Sequence, residues 1–502
     1  MVVPRHSTWL AALPVLLPLL GCCRGEPLPQ GLPAVGTLPE PADIILITID
    51  TLRADHLGCY GYHRDTSPRL DALAAEGIIC RRAMATMATT LPSHLSLFTG
   101  LYPHQHGHLS NKRAIMGPYE SQPGRELATT VLGEAGWRTA AFISAGPLKR
   151  STGMQTGFET WDQPAGIWRK GEETVDLALE WLDEGLTDEP TFLWIHLWDP
   201  HEPNTPPAEY LELFPTDEQT RALVESRAID HEGLQRSFDK KELARVFFPD
   251  AMEPIQRGED RELPELTREH ILDLINRYDA DVRYTDDCLG RIFDALQARG
   301  RWDQAFVVVA GDHGQGLGQH DWLLHGRLSG ENLHVPLVIK LPGELAQEPL
   351  AVERVVSLVD VFPTVLGRLG GPVATRLAQQ ASGDDLLSGS FRRSWAFSQR
   401  TGGERGWEQS QRAALTTRPW RYYLVDDGPD VLFDMNADPG ELRDVAGANP
   451  EVVQQLADLA RRVMSEGARL DSAADGTENG LTEDGQRHLQ DLRDLGYVGD
   501  DE

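Results

Sequence analysis

Apolar residues in this chain gather into short unbroken runs set between longer stretches of helical spacing. Ile44-Ile45-Leu46-Ile47-Thr48-Ile49 is such a run, rich in β-branched residues, and predicts a strand buried on both faces of a parallel sheet. Phe306 to Ala310 repeats the pattern, and Thr139 to Ser144, Thr191 to Trp198 and Val335 to Lys340 predict further strands. Between them, Ser67 to Gly77 reads as a helix with Pro68 at its start and Gly77 at its end. Leu127 to Ala135 and Glu172 to Leu186 are also helical, and Thr267 to Gln297 sets Ile271, Ile275, Tyr278, Val282, Leu289, Ile292 and Leu296 on one stripe. The alternation predicts an α/β fold, with a central, mostly parallel sheet sandwiched by helices.

Beyond Gly371 the pattern changes. Ser394 to Ser398, Arg412 to Thr416, Arg421 to Leu424 and Val431 to Asp434 predict short antiparallel strands, and Pro450 to Arg469 a helix. The expected layout is a main domain over 43–370 and a smaller C-terminal α+β domain over 371–469. Pro206 to Leu266 is charged and irregular with helical pieces such as Asp217 to Glu225, and reads as an insertion over one face. A polar linker from Leu470 to Gly480 and an amphipathic segment from Thr482 to Tyr497 complete 470–502.

The N-terminus carries Arg5, an apolar run from Trp9 to Leu20 and then Gly21-Cys22-Cys23, the pattern of a signal peptide over 1–22. Leu19-Leu20-Gly21-Cys22 resembles a bacterial lipobox, which implies lipidation of Cys22 and a tether, Pro- and Gly-rich, over 23–42. The expected location is the bacterial cell envelope, periplasmic or at the surface, with the membrane as partner through the anchor; an ordinary cleaved signal is the alternative.

A formal net charge of −30 excludes nucleic acid and anionic membrane surfaces as electrostatic partners, since both need a basic patch. Five cysteines show no Cys-x-x-Cys spacing, and Cys59 and Cys80 are open to pairing or to burial as thiols.

The chemistry collects where strands end. Asp50 follows the first strand, Asp199-Pro200-His201 the strand ending at Trp198, and Gly311-Asp312-His313-Gly314 the strand from Phe306. Ligands of open α/β sheets bind beyond such carboxyl ends. In Thr89-Thr90-Leu91-Pro92-Ser93-His94, Pro92 suits a first helical turn, which puts the Thr90 hydroxyl at a helix N-terminus where anionic groups are favoured. Taken alone, Thr90 is an N-cap worth about 1 kcal/mol and each Asp a turn or cap residue. Together Asp50, Thr90, Asp312 and His313 offer an oxygen-rich set suited to one divalent ion such as Mn²⁺, Zn²⁺ or Ca²⁺.

These stretches resemble a known family. Thr90-Leu91-Pro92-Ser93-His94 with Leu97, Thr99 and Gly100 resembles the sulfatase signature Cys/Ser-x-Pro-Ser-Arg followed by Leu-x-Thr-Gly. Ile49 to Gly61 resembles the family's opening metal motif, Gly311 to His320 its closing one, Asp199 to Pro203 its Pro-His-x-Pro loop and Leu432 to Glu441 its C-terminal signature. The resemblance covers nearly the whole mature chain and implies an alkaline phosphatase-like fold and a metal-dependent ester hydrolase.

The departures from that pattern point to phosphorus. Sulfatases oxidise their Cys or Ser to formylglycine, and Thr90 cannot yield that aldehyde. His94 stands where sulfatases place Arg, Thr51 where many have a metal-binding Asp, His313 where they often have Asn, and His325 where they have Lys. Thr nucleophiles are typical of phosphorus-handling relatives in the superfamily. The resemblance thus implies Thr90 as nucleophile, activated by a metal on Asp50, Asp312 and His313, with His201 or His325 protonating the leaving group. Asn111 is implied as an oxyanion contact, and His94 and His196 as further candidates near the substrate.

The expected substrate is a small-molecule or envelope-component phosphate diester, with phosphoryl transfer included. A sulfate ester cleaved without formylglycine is the second reading. A silent binding module is the third: Gln315 and Gln319 stand where relatives commonly have Glu, but the intact metal set argues against it. His104, His106 and His108 read as loop structure, and nothing in the sequence bears on oligomeric state.

Overall fold

The computed structural model describes residues 34–38, 42–111, 117–184, 189–227, 229–345, 347–400, 411–426, 428–466, 486–487 and 490. Cys22, the 1–22 leader, most of the 23–42 tether and most of 470–502 lie outside them. Among the described residues no helix is long and apolar enough to cross a membrane.

The strands are β1 (Ile44–Ile49), β2 (Ile78–Met84), β3 (Arg138–Ile143), β4 (Thr160–Asp162), β5 (Thr191–Leu197), β6 (Phe306–Gly311), β7 (His334–Val335), β8 (Leu337–Lys340) and β9 (Leu350–Ser357). They form one sheet in the order β4-β3-β5-β1-β6-β8-β2, with β7 also on β2. Ile78 pairs with both Ile339 and Leu350, so β9 lies on the far side of β2. Five of the eight pairings are parallel, and the antiparallel ones all involve β7 or β8.

β1 is central and fully buried, as an unbroken apolar run should be. Its residues divide with period two. Ile44 and Leu46 join Phe98, Trp194 and Phe362 in one core, while Ile45, Ile47 and Ile49 join Val175, Tyr278 and Leu289 in the other. Helix Thr90–Thr99 belongs to the first side, and helices Pro68–Glu76, Gly171–Glu184 and Arg268–Ala298 to the second. The sheet is therefore sandwiched, as the alternation predicts.

Three strands escape the sequence pattern. β2 is interrupted by Arg81 and Arg82, β9 by Glu353 and Arg354, and β4 is only three residues long. The expected strand over Val335 to Lys340 is two, because Pro336 has no N–H for the ladder.

A second sheet, β10 (Ala396–Gln399), β11 (Gln411–Thr416), β12 (Trp420–Val425) and β13 (Val431–Asp434), is antiparallel in chain order. Helix Pro450–Ser465 covers it, packing Leu456, Ala457 and Ala460 with Phe397, Leu415 and Tyr422. Residues from 371 to β10 still serve the main core through Leu377, Leu386 and Phe391. The insertion is a set of short helices that adds Val224, Leu234, Phe238 and Val246 to the second core. Cys59, Cys80 and Cys288 are free thiols.

His320 ties the two sheets together. Its Nδ1 donates to Glu331 Oε1 at 2.9 Å and its Nε2 to the Gly440 carbonyl at 3.1 Å, a pairing that needs both nitrogens protonated. Burial alone disfavours that charge, but the Glu331 hydrogen bond and charge, with Glu441, outweigh it and push His320 up to about 9. A pKa raised in the folded state stabilises fully below the unfolded value of about 6.5, and the gain is lost as pH rises through about 9. The contribution at neutral pH is on the order of 2–3 kcal/mol. The urea midpoint should therefore fall between pH 7 and pH 10, and His320→Gln should remove most of that slope; an unchanged slope would place the titrating group elsewhere.

Candidate active site

Strand register brings the first ligands together. β1 and β6 run parallel with Ile49 opposite Gly311, so Asp50 and Asp312 leave the sheet side by side. The Asp50 N–H donates to the Leu197 carbonyl at 2.9 Å and the Asp312 N–H to the Ile49 carbonyl at 3.3 Å, which extends the ladder one residue into the site. Asp312 Oδ1 accepts the backbone N–H of His313 at 2.7 Å and of Thr51 at 3.2 Å. Asp312 Oδ2 and both Asp50 oxygens are buried acceptors with no hydrogen-bond partner among the described residues. Thr51 sits at φ 54°, a left-handed conformation that a β-branched residue adopts only under constraint, and its Oγ1 is likewise unpartnered.

His313 completes the set. Its Nδ1–H donates to the Gly314 carbonyl at 3.1 Å, so Nε2 carries the lone pair. That nitrogen lies 3.6 Å from Asp50 Oδ1, 3.6 Å from Asp312 Oδ2 and 3.5 Å from Thr90 Oγ1. Gly314 itself leaves no room for a Cβ against the Glu331 carbonyl.

Ligand atoms about 2.1 Å from a tetrahedral ion lie about 3.4 Å from one another, close to these separations. Burial, then the charges of Asp312 and Glu202, push Asp50 well above the usual carboxylate range, and burial does the same to Asp312. Burial pushes His313 down to about 4, which keeps it a neutral donor. Two facing buried carboxylates and an imidazole lone pair call for a divalent cation, and the residues present fit one.

Thr90 is the first residue of its helix, with Thr89 extended as the cap and Pro92 two positions further on, where its missing N–H is still not needed. Ser93 Oγ donates to the Asp312 carbonyl at 2.7 Å and fastens this turn to the end of β6. The Leu91 N–H donates to Asn111 Oδ1 at 3.0 Å, so Asn111 lies against the turn that carries Thr90, with its own Nδ2 unpartnered among the described residues.

The expected substrate contact by His94 does not fit its surroundings. Its Nδ1–H donates to the Thr90 carbonyl at 2.7 Å, and its Nε2 accepts from Thr48 Oγ1 at 3.0 Å. Thr48 Oγ1 in turn accepts from Trp194 Nε1 at 2.9 Å. Both nitrogens are committed, so His94 braces the helix from below. His196 is fully buried beside Asp50, with Nε2 3.8 Å from Asp50 Oδ2 and neither ring nitrogen hydrogen-bonded among the described residues.

His201 and His325 stand together on the other side of His313. The ring of His325 is 4.6 Å from that of His313 and 5.3 Å from that of His201. His325 Nδ1–H donates to the Ala88 carbonyl at 3.2 Å. His201 stacks on Trp198 at 3.8 Å, and its Nδ1–H donates to the Glu202 carbonyl at 2.7 Å. Burial holds both imidazoles well below their ordinary value.

Two further groups bring potential ligand atoms together, His94-His196-Asp312 and His201-Glu202-His325. Committed nitrogens exclude His94, and Glu202 is engaged by Gln315 at 2.9 Å and Arg245 at 3.5 Å. His104, His106 and His108 bond to neighbouring loop and helix atoms, in keeping with a structural role. Sequence reasoning overlooked Glu202 and Arg245, one at the unspecified position of the Pro-His-x-Pro loop and the other in an insertion with no readable pattern.

A sandwiched α/β sheet with carboxylates, an imidazole and a hydroxyl at its strand ends defines the metal-dependent ester hydrolases of the alkaline phosphatase type. The sulfatase family model matches residues 42–371, and the chain belongs to the sulfatase family, whose members hydrolyse ester bonds and depend on a metal. It is 24% identical to the multifunctional alkaline phosphatase superfamily protein PehA of Trinickia caryophylli, over 84% of this chain and 94% of that one. It is 24% identical to arylsulfatase K of Bos taurus, over 86% of this chain and 83% of that one. The fold matches the phosphonate monoester hydrolase of Agrobacterium radiobacter with a TM-score of 0.66 and 21% identity, covering 85% of this chain and 96% of that one.

Proposed function

We propose that this protein cleaves phosphate diesters, by hydrolysis or transfer, with Thr90 as the nucleophile. The observation that carries the reading is the placement of Thr90 Oγ1, 3.5 Å from His313 Nε2 at the helix end facing Asp50 and Asp312. When bound by Asp50, Asp312 and His313, a divalent ion supplies positive charge that activates the hydroxyl and neutralises an ester oxygen. Thr90 Oγ1 forms a bond to phosphorus as the bond to the leaving oxygen breaks. The proton lost by Thr90 is the one the leaving oxygen needs, and the His201–His325 pair carries it. Asn111 faces the oxyanion, and water then releases the phosphate monoester, which keeps the second ester group, and restores the Thr90 hydroxyl. Thr90, which cannot become formylglycine, supports phosphorus over sulfur, and a relative named as a multifunctional protein of the alkaline phosphatase superfamily is in keeping with it.

A sulfate ester is the second reading, favoured by the arylsulfatase relatives. Turnover of matched aryl phosphodiester, phosphomonoester and sulfate esters with added Mn²⁺, Zn²⁺ or Ca²⁺ separates them. The phosphodiester should have the highest kcat/KM, by about tenfold or more, equivalent to about 1.4 kcal/mol. Preferential sulfate turnover would overturn the assignment to phosphorus.

A further inference from the structure

We infer that Glu202 is the positioning residue that holds His201 for proton transfer, and that Gln315 and the inserted segment's Arg245 hold Glu202. The inference rests on the ester-cleavage reading for its kinetics, though not for its geometry. Glu202 Oε2 lies 3.3 Å from His201 Nδ1, beside the Glu202 carbonyl that accepts the same proton. The ring cannot tilt away, because Trp198 is stacked against its face. His201 and Glu202 are both buried, so a carboxylate behind the ring acts in a weakly screened setting.

Glu202 is itself clamped at both oxygens. Gln315 Nε2 donates to Oε2 at 2.9 Å and also to the Leu323 carbonyl at 2.8 Å, and Arg245 NH2 lies 3.5 Å from Oε1. This accounts for an amide at 315. A carboxylate there would face Glu202 and lose the donor that both acceptors require. It also gives the 206–266 insertion a place in the site, since Arg245 lies on helix Lys240–Phe247.

The consequence is a defined tautomer. With Nδ1–H directed at Glu202, Nε2 is the reacting nitrogen. Nε2 first takes up, by way of His325, the proton that Thr90 loses and then gives it to the leaving oxygen as the P–O bond breaks, and the negative charge behind Nδ1 stabilises the ring while both nitrogens are protonated.

The test is Glu202→Gln, assayed on a phosphodiester with a 4-nitrophenyl leaving group and on one with a simple alcohol. The activated ester needs little protonation, so its kcat should stay within about threefold, while the alcohol ester should lose about 100-fold or more in kcat at similar KM. Gln315→Glu, which removes the donor to Glu202, should give the same selective loss. Equal losses on both substrates in a protein of unchanged thermal midpoint would overturn the inference. ¹⁵N spectra of the His201 imidazole read the tautomer without any substrate, so they decide the geometry even if no ester is turned over. An Nδ1–H ring whose Nδ1 resonance shifts in Glu202→Gln, while the Glu202 carbonyl keeps the tautomer, supports the clamp, and an Nε2–H ring in the unaltered protein or an unmoved Nδ1 resonance in the variant would overturn it.

Discussion

Thr90→Ala should abolish ester cleavage, lowering kcat/KM by at least about 10³-fold, because loss of a nucleophile that works with its activating groups removes the whole covalent route. The structure predicts that little else changes. Thr90 is the first residue of its helix, its side chain makes no cap bond, and the long contact to His313 Nε2 at 3.5 Å is the one hydrogen bond recorded for it among the described residues. Stability should therefore move by no more than about 1 kcal/mol and metal affinity by a few-fold. Thr90→Ser keeps a hydroxyl at the same point and should retain turnover within about tenfold. Acid-quenched wild-type enzyme should yield a Thr90 peptide that carries phosphorus with the substrate's retained ester group, absent from Thr90→Ala. If Thr90→Ala still turned substrate over within tenfold of wild type, water would be the nucleophile.

The second large effect is at Asp312. Asp312→Asn should lower activity by about 10²-fold or more and weaken metal binding, yet leave the metal-free protein as stable as wild type or more so. The reason lies in its two oxygens. Oδ1 accepts from Thr51 and His313, and an Asn oxygen can keep both bonds. Oδ2 has no donor and lies 3.6 Å from the His313 Nε2 lone pair, so an Asn N–H there replaces a buried, unsatisfied charge with a donor facing an acceptor. Added metal should stabilise the wild-type protein by about 2.7 kcal/mol at a hundred times Kd, and the rise in thermal midpoint that reports it should vanish in Asp312→Asn. A metal-free Asp312→Asn protein far less stable than metal-free wild type would mean that the carboxylate is structural.

The elements that were legible in advance were those whose burial is written locally. β1, β5 and β6 are continuous apolar runs because both faces of a central strand are covered, and the 31-residue helix Arg268–Ala298 keeps one stripe in the core. β2 and β9 were hidden because each is broken by a charged pair, Arg81-Arg82 half-buried and Glu353-Arg354 exposed or half-buried, that interrupts the apolar run. The metal set was readable for a related reason. Asp50 and Asp312 each follow a strand directly, so their placement needs only the rule that ligands gather at carboxyl ends.

The sequence by itself determined which groups reach the site: a hydroxyl at a helix start, two carboxylates, and histidines on that helix, at a strand end and on the loops that follow strands. What those histidines do was decided by the tertiary structure. His94, His196, His201, His313 and His325 are the same side chain, and each is defined by which of its nitrogens holds the proton and what the other one faces. Those partners, the carbonyls of Thr90, Ala88 and Gly314, the Thr48 hydroxyl, and the Glu202 carbonyl and carboxylate, are set by packing. A buried imidazole has no water to take up a lost bond, so its neighbours fix its tautomer, and the tautomer decides which ring nitrogen is left with a lone pair.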